Sequence, residues 1–209
     1  MDNKINFYTL GRDIAIKRKI PSKKFLSVFQ LKVTLDYKNL LENISDLYSY
    51  LVKEYEKNPE VVPLSASWIL DNYYLINQQS TVFSETFKSK ILAKLPLSEY
   101  DKFYFQIHYI AKKYLEAASY NFSEETLVPF LKGYQKIYPL SSLELWVLPT
   151  VIKFELLSSI LDRGLEIKEK IENSKLAASI VSDISSDIER GKNPIKRVRR
   201  VIKDIEVKP

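Results

Sequence analysis

The sequence predicts an all-α protein, built as a multi-helix bundle of about six or seven helices. Apolar residues recur with the helical period of about 3.6 along most of the chain. No run alternates cleanly with the two-residue period of a strand, although residues 28–35 fit either a strand or a helix. Glycine is also rare, at 4 of 209 residues, whereas sheets joined by tight turns use glycine at those turns. We therefore expect no sheet of three or more strands.

The first strong amphipathic pattern covers about 36–57. Ile44, Leu47 and Leu51 lie on one apolar stripe there, as expected of a helix that buries one face. Pro59 ends this helix, because the residue before a proline avoids the helical conformation. Further helices are expected over about 64–80, 99–118, 123–138, 141–164, 165–190 and 194–206.

Local signals mark several of these helix ends. Ser123 is a predicted N-cap and is followed by two glutamates, which the helix dipole favours in the first turn. Ser141 or Ser142 is expected to cap the next helix, and Pro149 to kink it. Gly191 is expected to close the sixth helix.

Positive charge is concentrated at the two ends of the chain. The formal net charge is +6, and residues 12–24 and 192–204 are both basic. We expect a flexible basic N-terminal segment over 1–20, a helical domain over 21–190 and a basic helix or linker over 191–209. The basic ends are either solvated flanks or contacts for an anionic surface. The candidate contacts at the C-terminus are Lys196, Arg197, Arg199 and Arg200.

Composition excludes several kinds of site. The chain has no cysteine and a single histidine, His108, so neither a thiolate metal site nor a histidine cluster is available. It also has no glycine-rich phosphate loop. We expect no metal or other cofactor and assign His108 a packing or hydrogen-bonding role. No window approaches the 18 apolar residues typical of a transmembrane helix, and the polar N-terminus does not resemble a secretory signal.

The stretch WILDNYYLINQQ, residues 68–79, raises a question of function. In a helix, three- and four-residue steps place Trp68, Asp71, Asn72, Leu75 and Gln79 on one face. An aromatic ring, a carboxylate and two amides on one face suggest either a binding site or a polar interface between helices.

Three stretches, at 66–79, 130–140 and 144–157, together resemble the N-terminal helical region of cyclic β-1,2-glucan synthases. The resemblance extends over about 36–165. The matching positions are Trp68, Leu70, Asp71, Asn72, Tyr73, Gln79, Tyr134, Gln135, Pro139, Leu140, Glu144, Leu145, Trp146, Leu148 and Pro149. The chain departs from the family where Phe105 and Gln106 replace a Pro-Arg pair and where Leu143 replaces a glycine.

The resemblance implies an auxiliary, non-catalytic domain that organises or docks a membrane-bound glucosyltransferase. Its partners would be the downstream transferase and membrane domains of a parent protein that uses UDP-glucose and a divalent metal. The expected location is cytoplasmic, at the inner face of the membrane if the parent protein holds it there. An anionic lipid surface is a further expected partner, and nucleic acid is not. The alternative is a stand-alone helical interaction module that binds an anionic partner through its basic ends.

Two interpretations of the matching residues remain open. Asp71 and Glu144 could act as general acid and base on a glycan, with Trp68 and Trp146 as a stacking platform. The interpretation that we favour is structural: both acids are hydrogen-bonded inside an interface between the two helices that carry them. Donors would come from amides such as Asn72, Gln79 and Gln135. Trp146 would then be a buried anchor.

Overall fold

The computed structural model of the protein describes residues 5–17, 26–98 and 105–191, together with Asn193, Ile195 and Arg199. Within these ranges it confirms the all-α prediction, with seven α-helices, one 3-10 turn at Pro59–Val61 and no strand. An isolated bridge joins Leu97 to Phe105. The helices are α1 (Phe7–Ile16), α2 (Leu26–Lys57), α3 (Leu64–Thr86), α4 (Ser89–Leu92), α5 (Gln106–Ala117), α6 (Glu124–Gln135) and α7 (Ser142–Glu189).

Helices α2, α3 and α7 form the centre of the bundle, and α3 runs antiparallel to α7. Ile69, near the start of α3, and Leu47 of α2 both lie against Gly164 of α7. Thr86, at the end of α3, lies beside Thr150, near the start of α7, and their hydroxyls are 3.3 Å apart. Small residues at these positions let the three helices approach closely.

An ion pair and a packing contact show the relative direction of α2 and α7. Both carboxylate oxygens of Glu54 accept hydrogen bonds from Lys175 Nζ at 2.8 Å. Glu54 is 6% exposed, and its hydrogen bond raises the pKa of Lys175. Leu47 pairs with Gly164, and Glu54 pairs further along both helices with Lys175, so the two helices run parallel.

Aromatic rings fill the region where α3, α5 and α7 meet. His108 of α5 is 1% exposed and packs between Phe87 and Phe154, whose ring centroids lie 5.9 and 5.8 Å from its own. Burial lowers the pKa of His108 to about 3, so the imidazole is neutral at neutral pH. As the sequence suggested, His108 packs in the core.

Helices α1 and α6 cross with their backbones in direct contact. A Cβ added at Gly11 would collide with the carbonyl oxygen of Phe130, and one added at Gly133 would collide with the carbonyl oxygen of Tyr8. Glycine is required at both positions because no side chain fits between the two backbones. Two of the four glycines in the chain therefore serve this one crossing.

The presence of α1 corrects the prediction of a flexible segment over 1–20. Residues Phe7–Ile16 are helical, and Asn6 caps the helix by accepting a hydrogen bond from the backbone N–H of Thr9 at 3.1 Å. Ile14 and Ala15 are buried. The segment is ordered because its apolar side packs on α6, which lies more than a hundred residues away in the chain.

The buried hydroxyl of Tyr114 ties α5 to the start of α6. It donates to the carbonyl oxygen of Ser123 at 3.0 Å and lies 2.8 Å from the hydroxyl of Thr126. Ser123 is the N-cap of α6, which confirms the prediction. The turn between the two helices places Ser119 and Tyr120 at positive φ, 50° and 58°, a region that residues other than glycine rarely adopt.

Helix α7 is a single helix of 48 residues, where the sequence predicted two helices over 141–164 and 165–190. Ser141, one of the two predicted caps, is its N-cap, and Gly191 follows its end with φ 67°. Pro149 lies inside the helix and removes only one backbone donor, while buried neighbours on both sides hold the helix together. Beyond Ile171, no residue of α7 is buried.

Other boundaries also differ from the predictions. Helix α2 begins at Leu26 rather than near 36, and α3 extends to Thr86 rather than 80. The seventh helix predicted over 194–206 lies outside the described residues, apart from Ile195 and Arg199. Among the helices described here, none is both long enough and apolar enough to cross a membrane.

Candidate interaction surface

The two carboxylates singled out in the sequence have different surroundings. Glu144 is 2% exposed, and its Oε2 accepts hydrogen bonds from the backbone N–H and the hydroxyl of Ser141, at 2.9 and 2.8 Å. Asp71 is exposed on α3. The prediction that both acids are satisfied inside one interface is therefore wrong: Asp71 is exposed, and Glu144 accepts its hydrogen bonds from the N-cap of its own helix. About 30 Å of helix separates Glu144 from Gly164, which packs on Ile69 beside Asp71, so the two acids do not form a catalytic pair.

The two tryptophans are both exposed and lie far apart. Trp68 and Trp146 are 51% and 58% exposed, which corrects the prediction that Trp146 is a buried anchor. Trp68 precedes Ile69, which packs on Gly164, whereas Trp146 lies near the start of α7. About 27 Å of α7 separates Trp146 from Gly164. The two indoles therefore do not form a shared stacking platform.

This placement predicts a small effect for Trp146→Ala. We expect the free energy of unfolding to fall by less than about 1 kcal/mol, because substitutions at exposed positions rarely do more. Phe154→Ala is the comparison, since Phe154 is 5% exposed and its loss should cost about 3–5 kcal/mol. Denaturant titrations of both variants provide the measurement. Equal losses would mean that the indole of Trp146 is buried.

Six residues of α3 form a straight stripe, which we name the α3 outer face. They are Leu64, Trp68, Asp71, Leu75, Gln78 and Val82. Their spacing alternates between four and three residues, like the a and d positions of a coiled coil. The apolar members expose between 38% and 91% of their surface, and Asp71 and Gln78 are also exposed. The other side of the helix buries Ala66, Ile69, Ile76 and Phe83. Helix α3 thus has two apolar sides, of which one faces solvent.

The α3 outer face lies in a segment that is almost free of charge. Residues 61–84 contain one charged residue, Asp71, although charged residues make up 28% of the chain. Tyr74, beside the stripe, is 61% exposed. The central parts of protein interfaces are likewise poor in charge and rich in aromatic residues, and exposed apolar patches mark binding surfaces. The α3 outer face therefore has the composition of an interface.

The amides on this side of α3 bond to their own helix. Asn72 donates to the carbonyl oxygen of Trp68 at 2.8 Å, and Gln79 donates to that of Leu75 at 3.2 Å. Gln79 also accepts a hydrogen bond from Lys153 of α7 at 3.0 Å. Neither amide donates to a carboxylate in these hydrogen bonds, which departs from the predicted role. Lys153 marks the edge of the α3 outer face towards α7.

The remaining predicted contacts lie elsewhere. Gln135 is half-buried at the end of α6 and is not part of the α3 outer face. Of the four C-terminal cations, Arg199 is described and exposed, while Lys196, Arg197 and Arg200 lie outside the described residues. Contact of these cations with an anionic surface stays a prediction.

A groove of about 210 Å³ lies between α2 and α7. Its lining includes Asp36, Asn39, Asn43 and Asp162. Sequence reasoning missed this pair of acids, since they lie on helices far apart in the chain. Neither Asp71 nor Glu144 lines the groove. In the described ranges, no group of three or more His, Cys, Asp or Glu side chains could hold a metal ion.

No family model matches the chain, and neither a curated protein nor a solved structure is significantly similar to it. The geometry of the described residues is therefore the basis for a functional proposal.

Proposed function

We propose that this protein is a non-catalytic helical interaction module that docks a partner helix on the α3 outer face. One observation carries the proposal: an exposed apolar stripe with coiled-coil spacing lies within a nearly uncharged segment. A stripe that only covered the core would face inward, and the core-facing residues of α3 already lie on its other side.

The spacing of the stripe favours a helical partner. Side chains at a and d positions fit between those of a facing helix, and amphipathic helices dock on apolar surfaces through anchors at such intervals. Trp68 is the strongest anchor, because tryptophan is enriched among the residues that dominate binding energies. Asp71 and Gln78 interrupt the stripe, and polar residues at such positions fix the register of paired helices.

The resemblance to cyclic β-1,2-glucan synthases is compatible with this proposal and would give it a setting. Trp68 and Asp71 are among the residues that carry the resemblance, and both lie on the α3 outer face. In that setting the module would dock against the transferase or membrane domains of a parent protein. The glucan-synthase relationship and the alternative of an anionic partner at the basic ends both stay predictions. The α3 outer face itself has no cation, so it does not serve that alternative.

The test uses a synthetic amphipathic helical peptide with a leucine seam and uncharged flanks. In a Trp146→Phe background, Trp68 is the only tryptophan, so its fluorescence reports binding. We expect a blue shift on titration and at least a tenfold loss of affinity in Leu75→Glu, which corresponds to about 1.4 kcal/mol. Leu165→Glu is the matched control, since Leu165 lies on α7 and is 46% exposed, against 43% for Leu75. Absence of binding, or equal losses in both variants, would contradict the proposal.

A further inference from the structure

We propose that the partner of the α3 outer face is α3 of a second copy of this chain, paired in an antiparallel homodimer. The inference rests on the proposed function and names the partner. A symmetric dimer brings the same surface of each subunit together, so the surface must complement itself. Three properties of the α3 outer face meet this requirement.

The first property is the spacing of the stripe. Its steps of four, three, four, three and four residues are the same when the helix is followed in either direction. When two copies of α3 pair antiparallel about the middle of the stripe, three kinds of layer form. Leu64 faces the partner's Val82, Trp68 faces the partner's Gln78, and Asp71 faces the partner's Leu75. Each layer pairs one residue with a different one, as the facing sides of an antiparallel helix pair require.

The second property is that the flanking positions of α3 itself carry no charged residue. Charged residues at the flanking positions of paired helices select the partner and its orientation. Here the flanks consist of Ser65, Ser67, Asn72, Tyr74, Gln79 and Thr81. A partner helix with charged flanks would find no counter-charge on the flanks of α3, whereas a second α3 supplies uncharged flanks.

Asp71 decides between the two orientations. A parallel pair would set Asp71 against the partner's Asp71, and facing like charges are unfavourable. In the antiparallel pair, Asp71 faces the partner's Leu75 and lies level with the partner's Tyr74. That tyrosine is exposed in the single chain, and its hydroxyl can donate a hydrogen bond to the carboxylate. The charge therefore favours the antiparallel arrangement.

The third property is the size of the exposed apolar surface. Leu64, Trp68, Tyr74, Leu75 and Val82 are all exposed. With on the order of 100 Å² left exposed on each, two copies would bury about 1,000 Å² in total. That area reaches the lower limit of specific interfaces. The dimer is therefore expected to dissociate on dilution.

Disulfide trapping tests the pairing and its direction. The chain contains no cysteine, so two single variants, Leu64→Cys and Val82→Cys, report only on introduced thiols. A disulfide needs Cα atoms within about 7 Å. The antiparallel pair brings the two different variants together, whereas two copies of one variant would hold their thiols about 27 Å apart. We expect an equimolar mixture to form the mixed disulfide several-fold faster than either variant alone links to itself. Faster self-linking, or no linking, would overturn the inference.

Analytical ultracentrifugation separates this inference from the proposed function. We expect the average mass of the wild type to rise towards twice that of the single chain with concentration. Leu75→Glu should remain monomeric, and Leu165→Glu should behave like the wild type. A monomeric wild type that still binds the synthetic peptide would overturn the dimer and leave the interaction module standing. A monomeric wild type that binds no peptide would defeat both. A dimer that survives Leu75→Glu would use another surface, such as the second half of α7, and would also overturn the inference.

Discussion

Replacing Gly133 by alanine is expected to release α1 from the bundle and to lower the free energy of unfolding by about 3 kcal/mol. The new methyl group would collide with the carbonyl oxygen of Tyr8. A colliding side chain could rotate away, but this obstacle is backbone, so the two helices must separate. Separation exposes Ile14 and Ala15 of α1, which are buried in the intact protein. Alanine otherwise favours a helix by about 1 kcal/mol over glycine, so this net loss would remain after that gain has been subtracted from the cost of the collision.

Denaturant unfolding and trypsin cleavage at Arg12 provide the two measurements for this prediction. Lys132→Ala, one residue away and exposed, is the control and should unfold like the wild type. Gly11→Ala should act like Gly133→Ala, because Gly11 meets the carbonyl oxygen of Phe130 at the same crossing. The double variant should lose less free energy of unfolding than the two single variants lose in sum, since α1 is released only once. Wild-type stability in either single variant would show that the helices tolerate a wider crossing.

Local signals in the sequence were sufficient for the fold class and for several helix ends. The hydroxyl of Ser123 accepts a hydrogen bond from the backbone N–H of Thr126 at 3.3 Å, and that of Ser141 accepts one from Glu144 at 3.2 Å. These bonds join residues three apart, so the residue types alone predict them. The end of α7 just before Gly191 is equally local, because the left-handed conformation that follows a helix end favours glycine.

Long-range packing explains the predictions that were wrong. Gly164 looks like a helix end in the sequence, but in the structure it makes room for Leu47 and Ile69. Leu165 was predicted to begin a new helix, yet α7 continues from Ser142 to Glu189. The order of α1 likewise depends on Gly133, which is distant in the chain. In each case the deciding contact comes from another helix, and the local sequence does not show it.

Helix α3 shows both a correct local prediction and one that long-range packing overturned. The spacing correctly placed Trp68, Asp71 and Gln79 on one side of a helix, but that side was predicted to be buried. Helix α3 has two apolar sides, and the packing of the neighbouring helices determines which of the two is buried. The near absence of charge over 61–84 is a property of the sequence itself. On a helix already known to be at the surface, that absence would have indicated an interface.

Acid is expected to destabilise this protein through its one histidine. Burial lowers the pKa of His108 to about 3, whereas an unfolded histidine has a pKa of about 6.5. Between these values the unfolded chain binds a proton that the folded protein does not. Unfolding is therefore increasingly favoured as the pH falls from about 6.5 towards 3. Each pH unit in this window contributes up to about 1.4 kcal/mol, so two units below 6.5 should remove about 2–3 kcal/mol.

The variant His108→Phe separates this contribution from that of the carboxylates. A phenyl ring fits a site that Phe87, Phe105 and Phe154 already surround, and it does not titrate. Urea unfolding at pH 7 and pH 4.5 should show the wild type losing about 2–3 kcal/mol more than the variant. For each protein, the quantity compared is the change in the free energy of unfolding between pH 7 and pH 4.5. A variant that is more or less stable than the wild type at pH 7 can therefore still be compared with it. Because the chain has one histidine, its imidazole resonances can be followed directly by NMR. A midpoint near 6.5 in the folded protein would show that His108 is reached by water, and the predicted loss would then disappear.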